Sequence, residues 1–494
     1  MTDVSPPPAR DRVLTVLLVG AVVALGLVVV ALIRTSIDLS PSVEAGAANR
    51  RALVPLWITS AVAWLALGGC WWRLARVPSP GRPTVRAAII VATVALVARG
   101  AVVFLHTPTL SDDINRYVFD GRNTVAGVNP YSVVPETRAS ESASVARWTG
   151  EAAVAERVNN PELPTIYLPT SQYVFAIAGW LVPDAATDPV AMGRVFRALF
   201  ALLDVVVVAL LMLHLARTGR SVWWAALYAW HPLPVTEIAG AGHQDVIGIV
   251  LLVAALILAT GRPPREIASI ALLAVASLVK PVAIPVAAFV LRRRPVRAWG
   301  RALIVGLVLV TLLAAPLLAS EIARENLAAT ATRFSLKWAH FGSVYEPLLA
   351  AIEVVRPAWS NDHQEQLARK ICLAVLALAG LMIWWRGRDP WSMATGLLLA
   401  MVLVSPTAHP WYLLWALVLV PVSRHRAAWI ASLTLPWGYV VLTDTIEWTV
   451  PIGVMFAAYV PVYAAILIPG AITRRLSRRN GAGESGQMPY HDRP

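Results

Sequence analysis

The sequence predicts an all-α protein that crosses a membrane many times, and three observations carry that prediction. Hydrophobic residues make up 57% of the 494-residue chain against 14% charged, with a mean hydropathy of +0.63, a balance too apolar for a soluble chain of this length. Apolar runs long enough to span a bilayer recur from one end to the other. The net charge of +13 is gathered into short arginine clusters between those runs, such as Arg292-Arg293-Arg294 and Arg474-Arg475 with Arg478-Arg479. Clusters of this kind mark cytoplasmic loops, so the charge reads as topology and implies no nucleic-acid partner. The two cysteines, Cys70 and Cys372, lie inside apolar runs, which argues against a disulfide framework or a thiolate metal site.

Taken in order, the first apolar run, 13–33, is long enough to span, lacks a small-residue cleavage site and is followed by further spans, so it reads as a retained span rather than a signal peptide. Spans at 52–72 and 87–105 follow, with Arg73, Arg76, Arg82 and Arg86 between them. This places the N-terminus in the cytoplasm and the chain outside after the third span. Residues 106–164 form an outer acidic loop with turn signals at Asn129-Pro130 and Asn159-Asn160-Pro161. Read as a span, the apolar run at 166–182 would put Arg217, Arg220 and every later cluster on the wrong side; read as an interfacial helix, it leaves them inside. Further spans are expected at 195–214, 222–237, 245–260, 266–280, 281–291, 302–319, 369–386, 390–404, 410–422, 427–443 and 452–470. The expected total is about fourteen, within a range of eleven to fourteen because several are short. A second outer region covers 320–368, and both termini are cytoplasmic. Four parts result: 1–86, N-terminal helices and a cytoplasmic loop; 87–320, a catalytic module; 321–473, a C-terminal membrane module; and 474–494, a polar, Gly-rich tail expected to be disordered.

Residues able to do chemistry collect at the outer ends of these spans. Asp112 and Asp113 stand where the third apolar run stops. A carboxylate there can take a proton from an attacking hydroxyl, or it can cap the short helix that follows. Arg116 lies one turn beyond Asp112, positioned to pair with it or to hold phosphate, and Arg122 follows in the same segment. His243 and Asp245 follow Gly242 and suit a sugar, a phosphate or a metal; a lone His-x-Asp without further identifiable ligands is thin support for the metal. Lys280 is the one lysine in an apolar run broken by Pro281 and Pro285; it either meets a lipid phosphate or snorkels to an interface. His409, with Trp411 and Tyr412, offers a hydrogen bond and flat rings to a sugar, or forms an aromatic belt. No P-loop, Rossmann fingerprint or HExxH motif occurs, which disfavours a nucleotide-sugar donor.

Read together, Ser111 to Arg122, Ala126 to Tyr131, Pro164 to Pro169, Gly242 to Asp245, Lys280-Pro281 and His409 to Tyr412 resemble the GT-C superfamily of integral-membrane glycosyltransferases. Within it they are most similar to glycosyltransferase family 87 and the bacterial alpha-1,6-mannopyranosyltransferases, over roughly residues 90–440. A weaker similarity is to the first mannosyltransferase of GPI-anchor synthesis. The resemblance implies a GT-C bundle that transfers a sugar, mannose by family, from a polyprenyl-phosphate donor to a glycan or glycolipid acceptor at the outer face of the cell membrane, by inverting displacement. It implies that the catalytic base is Asp113 or Asp112, with Asp113 favoured because it stands four residues before Tyr117. Arg116, Arg122, Tyr131, Tyr167, His243, Asp245, Lys280, His409 and Trp411 are then the substrate-binding candidates. No cofactor is obligatory in such a scheme, although a divalent cation is compatible with it. Where the family often has Tyr-Pro-Pro, this chain has Tyr167-Leu168-Pro169. The competing class is a polytopic lipid or sugar transporter or flippase, which predicts internal repeats that inspection does not find; a non-catalytic membrane scaffold gives no reason for the outer polar groups to converge.

Overall fold

The structure is a computed structural model that describes residues 11–76, 85–140 and 145–468. The tail at 474–494, with its arginine clusters, and Arg82 lie outside the described residues. Within them the protein is helical, with no sheet; the only β pairing is a pair of isolated bridges from His340 and Phe341 to Thr407.

Among the described residues six helices are long and apolar enough to cross a membrane: Arg12–Arg34, Val43–Leu74, Val85–Leu105, Pro189–Arg217, Val296–Leu318 and Asn361–Arg386. Their starts carry local signals. Asp11 and Ser42 accept hydrogen bonds from the backbone N–H groups of Leu14 and Ala45, and Asp188 accepts from Val190 and Ala191 ahead of Pro189. Five of the other expected spans form shorter apolar helices: Asp245–Thr260, Glu266–Ser277, Pro281–Leu291, Pro390–Val404 and Ile452–Leu467. At 1.5 Å per residue a helix of about 16 residues reaches about 24 Å, short of a bilayer core of about 30 Å.

The expectation of about fourteen spans is therefore corrected to six candidate spans among the described residues. Three of the expected spans, at 222–237, 410–422 and 427–443, are chains of short helical turns. Pro232 and Pro234 interrupt the first, Pro410 and Pro421 the second, and Pro436 the third. Each proline removes a helical N–H and crowds the preceding turn. Neighbouring protein covers the resulting irregular backbone, and residues 224–249 are buried without interruption. This is the condition under which broken helices persist at membrane depth.

The polar run at 106–164 folds back on the bundle as the helix Asp113–Val125, a short turn at Pro130–Ser132, and two five-residue helices, Pro135–Ala139 and Glu151–Ala155. The apolar run expected to form an interfacial helix is the 13-residue helix Pro169–Leu181. It crosses Asp113–Val125 at Gly121 and Gly179, where the backbones touch. A Cβ on Gly179 would lie 2.8 Å from the Gly121 carbonyl carbon, and one on Gly121 would collide with the Phe175 carbonyl. Above this crossing Tyr117 stacks on Phe175 with ring centroids 4.7 Å apart. The region expected to be the second outer one forms the helices Glu321–Lys337 and Tyr345–Val355, while the following span starts at Asn361, upstream of the expected 369. Both cysteines are buried and free, as the apolar runs around them predict.

This crossing sets the height of the acidic helix. Gly121→Ala and Gly179→Ala should each destabilise the protein by about 1–3 kcal/mol through overpacking, read as a lower melting temperature in detergent. Gly26→Ala, in a helix with no atom within 4 Å of the added carbon, should leave the melting temperature unchanged or raise it.

Candidate active site

The chain leaves the helix Val85–Leu105 and turns into Asp113–Val125 at Asp112 and Asp113. Asp112 occupies the N-cap position, yet its carboxylate makes no capping bond. Instead the Asn159 side-chain amide donates to both acids, at 2.7 Å to Asp112 Oδ1 and 3.0 Å to Asp113 Oδ1. Burial, reinforced by the neighbouring Asp113 charge, pushes the Asp112 carboxyl up to about 6, against the Asn159 bond that lowers it.

Arg116 does not pair with Asp112 as its spacing predicts. Its guanidinium donates to the carbonyls of Leu163, Asn159 and Asn160 at 3.0, 3.2 and 3.0 Å. Asp112 sits at the cap, outside the regular helix, and three carbonyls of the facing turn take up the donors. The effect is to hold the Asn159 turn against the carboxylates it bridges.

On the opposite wall, Lys280 stands at the break after Glu266–Ser277, with an extended backbone at φ −152°, ψ 129°. Its ammonium lies 2.8 Å from Asp245 Oδ1 and 3.8 Å from the Tyr412 ring centroid. Asp245 opens the helix Asp245–Thr260, and the same oxygen accepts from Trp415 Nε1 at 2.6 Å.

His243 comes from the turn that precedes Asp245. Gly242 there has φ +83° with Arg197 and Ile114 packed against it, a position that suits glycine. The buried imidazole lies between two carboxylates, with Nδ1 3.7 Å from Asp113 Oδ2 and Nε2 3.4 Å from Glu237 Oε2. Its face stacks on Trp411 at 3.9 Å. Trp411 stacks in turn on His409 at 4.3 Å, and His409 on His340 at 4.9 Å, forming a ladder of four rings.

These groups surround one cavity of about 1660 Å³, whose wall includes Asp112, Asp113, Arg116, Asn159, Tyr167, Asp245, Lys280, His409 and Trp411. Apolar residues of two helices continue it, Leu373 and Leu376 on one and Leu398, Met401 and Val402 on the other. Three sequence candidates stand off the wall. His243 is behind Asp113. Tyr131 is buried beneath the loop and donates its hydroxyl to the Tyr167 carbonyl at 2.6 Å. Arg122 points away, donating to the Gly179 and Val182 carbonyls and reaching Asp184 at 3.4 Å. Sequence reasoning left out Asn159, read only as a turn, and Glu237, whose presence in an apolar run was the available signal. Tyr412, expected to offer a flat ring to a sugar, instead lies under the Lys280 ammonium. Among the described residues no three His, Cys, Asp or Glu side chains group as a metal ligand set.

Residues 13–293 match the family described as Alpha-(1->6)-mannopyranosyltransferase, N-terminal domain, and residues 358–469 match the MptB C-terminal domain. The chain is similar to Alpha-(1->6)-mannopyranosyltransferase A of Mycobacterium tuberculosis (strain ATCC 25618 / H37Rv), with 26% identity over 354 residues. That alignment covers 66% of this chain and 64% of the relative, so it spans just under two thirds of the curated protein's length. No solved structure matches.

The Asp112 carboxyl makes a pH prediction. Its folded value of about 6 exceeds its ordinary 3.8, so its contribution to stability is full below 3.8 and is lost as pH rises to about 6. Relative to wild type, Asp112→Asn should therefore gain melting temperature across that window and hold a constant difference above it. Asn159→Ala, which removes the bond that lowers the Asp112 value, should move the wild-type transition to higher pH.

Proposed function

The chain belongs to the alpha-(1->6)-mannopyranosyltransferase family, and from that premise we propose that it transfers mannose from a polyprenyl-phosphate donor to a glycan or glycolipid acceptor. The observation that carries this reading is the single cavity in which two carboxylates, a lysine and an apolar wall meet. In the proposed arrangement the donor's lipid tail lies along Leu373, Leu376, Leu398 and Met401. Its phosphate approaches Lys280, whose ammonium already shares its charge with Asp245. The sugar lies between Lys280 and the acidic edge, beside the rings of Trp411, Tyr412 and Tyr167.

Asp113 takes the proton of the acceptor hydroxyl as its oxygen attacks the anomeric carbon from the side opposite the phosphate, inverting the centre. The phosphate leaves with the bonding electron pair; it is already anionic, so it needs no strong general acid. Asp112 lies beside Asp113 under the same Asn159 amide. Shared this way, the amide orients both acids and gives each carboxylate a donor, which limits their mutual repulsion. Arg116 supports the edge through the Asn159 turn. The arginine clusters in the sequence support a reading with both termini in the cytoplasm and the cavity at the outer face.

Purified protein supplied with polyprenyl-phosphate-mannose and a lipid-linked mannoside acceptor tests this. Asp113→Asn should lower kcat by about 10²–10⁴-fold, the usual worth of a general base. Normal turnover in both Asp113→Asn and Asp112→Asn would remove the carboxylates from the chemistry, and activity with GDP-mannose alone would overturn the lipid donor. Lys280→Ala should raise the donor KM by about 10–100-fold, the worth of a charged hydrogen bond of about 1.5–3 kcal/mol, while the acceptor KM stays near wild type.

A further inference from the structure

We propose that His243 is a positioning residue for the transfer, acting through Asp113: it shares the proton that this carboxylate removes from the acceptor, with Glu237 as its counter-charge. The proposal rests on the reading of Asp113 as general base. It starts from a buried group that the mechanism above does not use. His243 has 1% side-chain exposure and does not reach the cavity. Its contact with substrate can only be indirect.

The geometry around the ring is that of a proton relay. Asp113 faces Nδ1 from the acidic helix, and Glu237 faces Nε2 from the irregular turn Val235–Gly240. Neither ring nitrogen has a direct hydrogen-bond partner among the described residues. A neutral imidazole has one N–H and one lone pair. Set between two carboxylates, it therefore always presents a lone pair to one of them. A proton entering the set removes that opposition and turns both ring nitrogens into donors. The proton lifted by Asp113 is such a proton.

The surroundings favour the charge that would form. Trp411 lays its indole on the imidazole face at 3.9 Å and 15°, a placement that stabilises a cation over the ring. Glu237 is fully buried, accepts from the Tyr439 hydroxyl at 2.8 Å through Oε2, and leaves Oε1 without a partner. Of the other charged and titratable groups nearby, Lys280 is engaged by Asp245, Arg197 is engaged by three backbone carbonyls and Asp112 lies beside Asp113, while His409, stacked on Trp411, still feels the His243 charge. The 3.7 Å between Nδ1 and Asp113 is longer than a hydrogen bond, as catalytic contacts often are before substrate binds.

The acceptor oxygen forms a bond to the anomeric carbon, the bond from that carbon to the phosphate oxygen breaks, and its electron pair departs with the phosphate. The hydroxyl proton passes to Asp113 and from Oδ2 to Nδ1 of His243. The imidazolium then stands between Asp113 and Glu237 until it returns the proton through Asp113 to water after product leaves.

The test compares His243→Gln, His243→Phe, Glu237→Gln and Asp113→Asn by kcat and KM across pH, with polyprenyl-phosphate-mannose as the donor. His243→Gln should lower kcat by about 10–100-fold, leave both KM values within about threefold of wild type, and move the acid limb of the profile to lower pH. Glu237→Gln should shift that limb in the same direction, which keeps the inference testable if the histidine variants fold poorly. His243→Phe, which preserves an aromatic face for Trp411, should be as slow as His243→Gln. Adding His243→Gln to Asp113→Asn should cost nothing further, because the two act as one unit. A wild-type pH profile in both His243→Gln and Glu237→Gln overturns the inference, as does full activity in His243→Phe or a multiplied loss in the double variant. If Asp113→Asn remains active the reading of the base fails; if it is inactive while His243→Gln is normal, only the relay fails.

Discussion

Arg197 is the constraint on which the site's geometry depends. It rises from the long helix Pro189–Arg217 into a fully buried position and spends its guanidinium on three carbonyls. Nε donates to Ala239 at 2.9 Å, Nη1 to His106 at 2.8 Å and Nη2 to Val102 at 2.9 Å. Val102 and His106 are the last turn before the acidic edge, and Ala239 belongs to the turn that delivers His243. One side chain therefore joins the segment carrying Asp113 to the segment carrying His243. Buried charge is tolerated here because the guanidinium meets carbonyl dipoles at a helix end and in an irregular turn, the Val102 carbonyl taking the His106 N–H as well. A second buried cation is treated differently: Arg99 meets Asp204 at 2.6 Å, also donates to the Ala229 carbonyl, and has Tyr228 completing the acid. The first arrangement fixes a site, and the second fastens three helical segments below it.

The carboxylates show how a low-dielectric setting can be both hostile and useful. Two adjacent acids at the end of an apolar helix repel each other and lose water, which is why Asp112 holds its proton into the range of about 6. The protein meets the cost with one amide, Asn159, held by the Arg116 guanidinium through its own carbonyl and those of Asn160 and Leu163. Across the cavity the sign is reversed: Asp245 pairs with Lys280, whose side chain keeps 24% exposure and lines the cavity.

Much of this was legible in the chain because polar residues in an apolar sequence are conspicuous. Asp112, Asp113, Asp245, Lys280, His409 and Trp411 all reach one cavity, and each was visible as an exception to its surroundings. Arg122 was misleading. On a helix it lies six residues, about 240°, round from Arg116, so the two cannot face the same way, and the structure turns Arg122 toward Asp184 instead. Asn159 was invisible because a turn signal explains an Asn-Asn-Pro run completely. The span count failed for a related reason: hydropathy registers how apolar a segment is and says nothing of whether its backbone runs straight. The proline-broken stretches at 222–237, 410–422 and 427–443 are apolar in sequence, yet they fold as successions of short helical turns.

The uninterrupted burial of residues 224–249 carries a consequence of its own. A helix facing lipid feels the thickness and lateral pressure of its bilayer, and tilts or shifts when these change. The segment holding Glu237, His243 and Asp245 touches neither tails nor headgroups along that length; its neighbours are other parts of the same chain. That stretch is thereby shielded from changes in the surrounding lipid, while a helix lining the apolar side of the cavity carries exposed apolar residues such as Leu373 and Leu378. In the proposed transfer, a membrane whose lipids stiffen or thin would alter how readily a lipid-linked donor enters, and leave the segment holding His243 and Asp245 as it was.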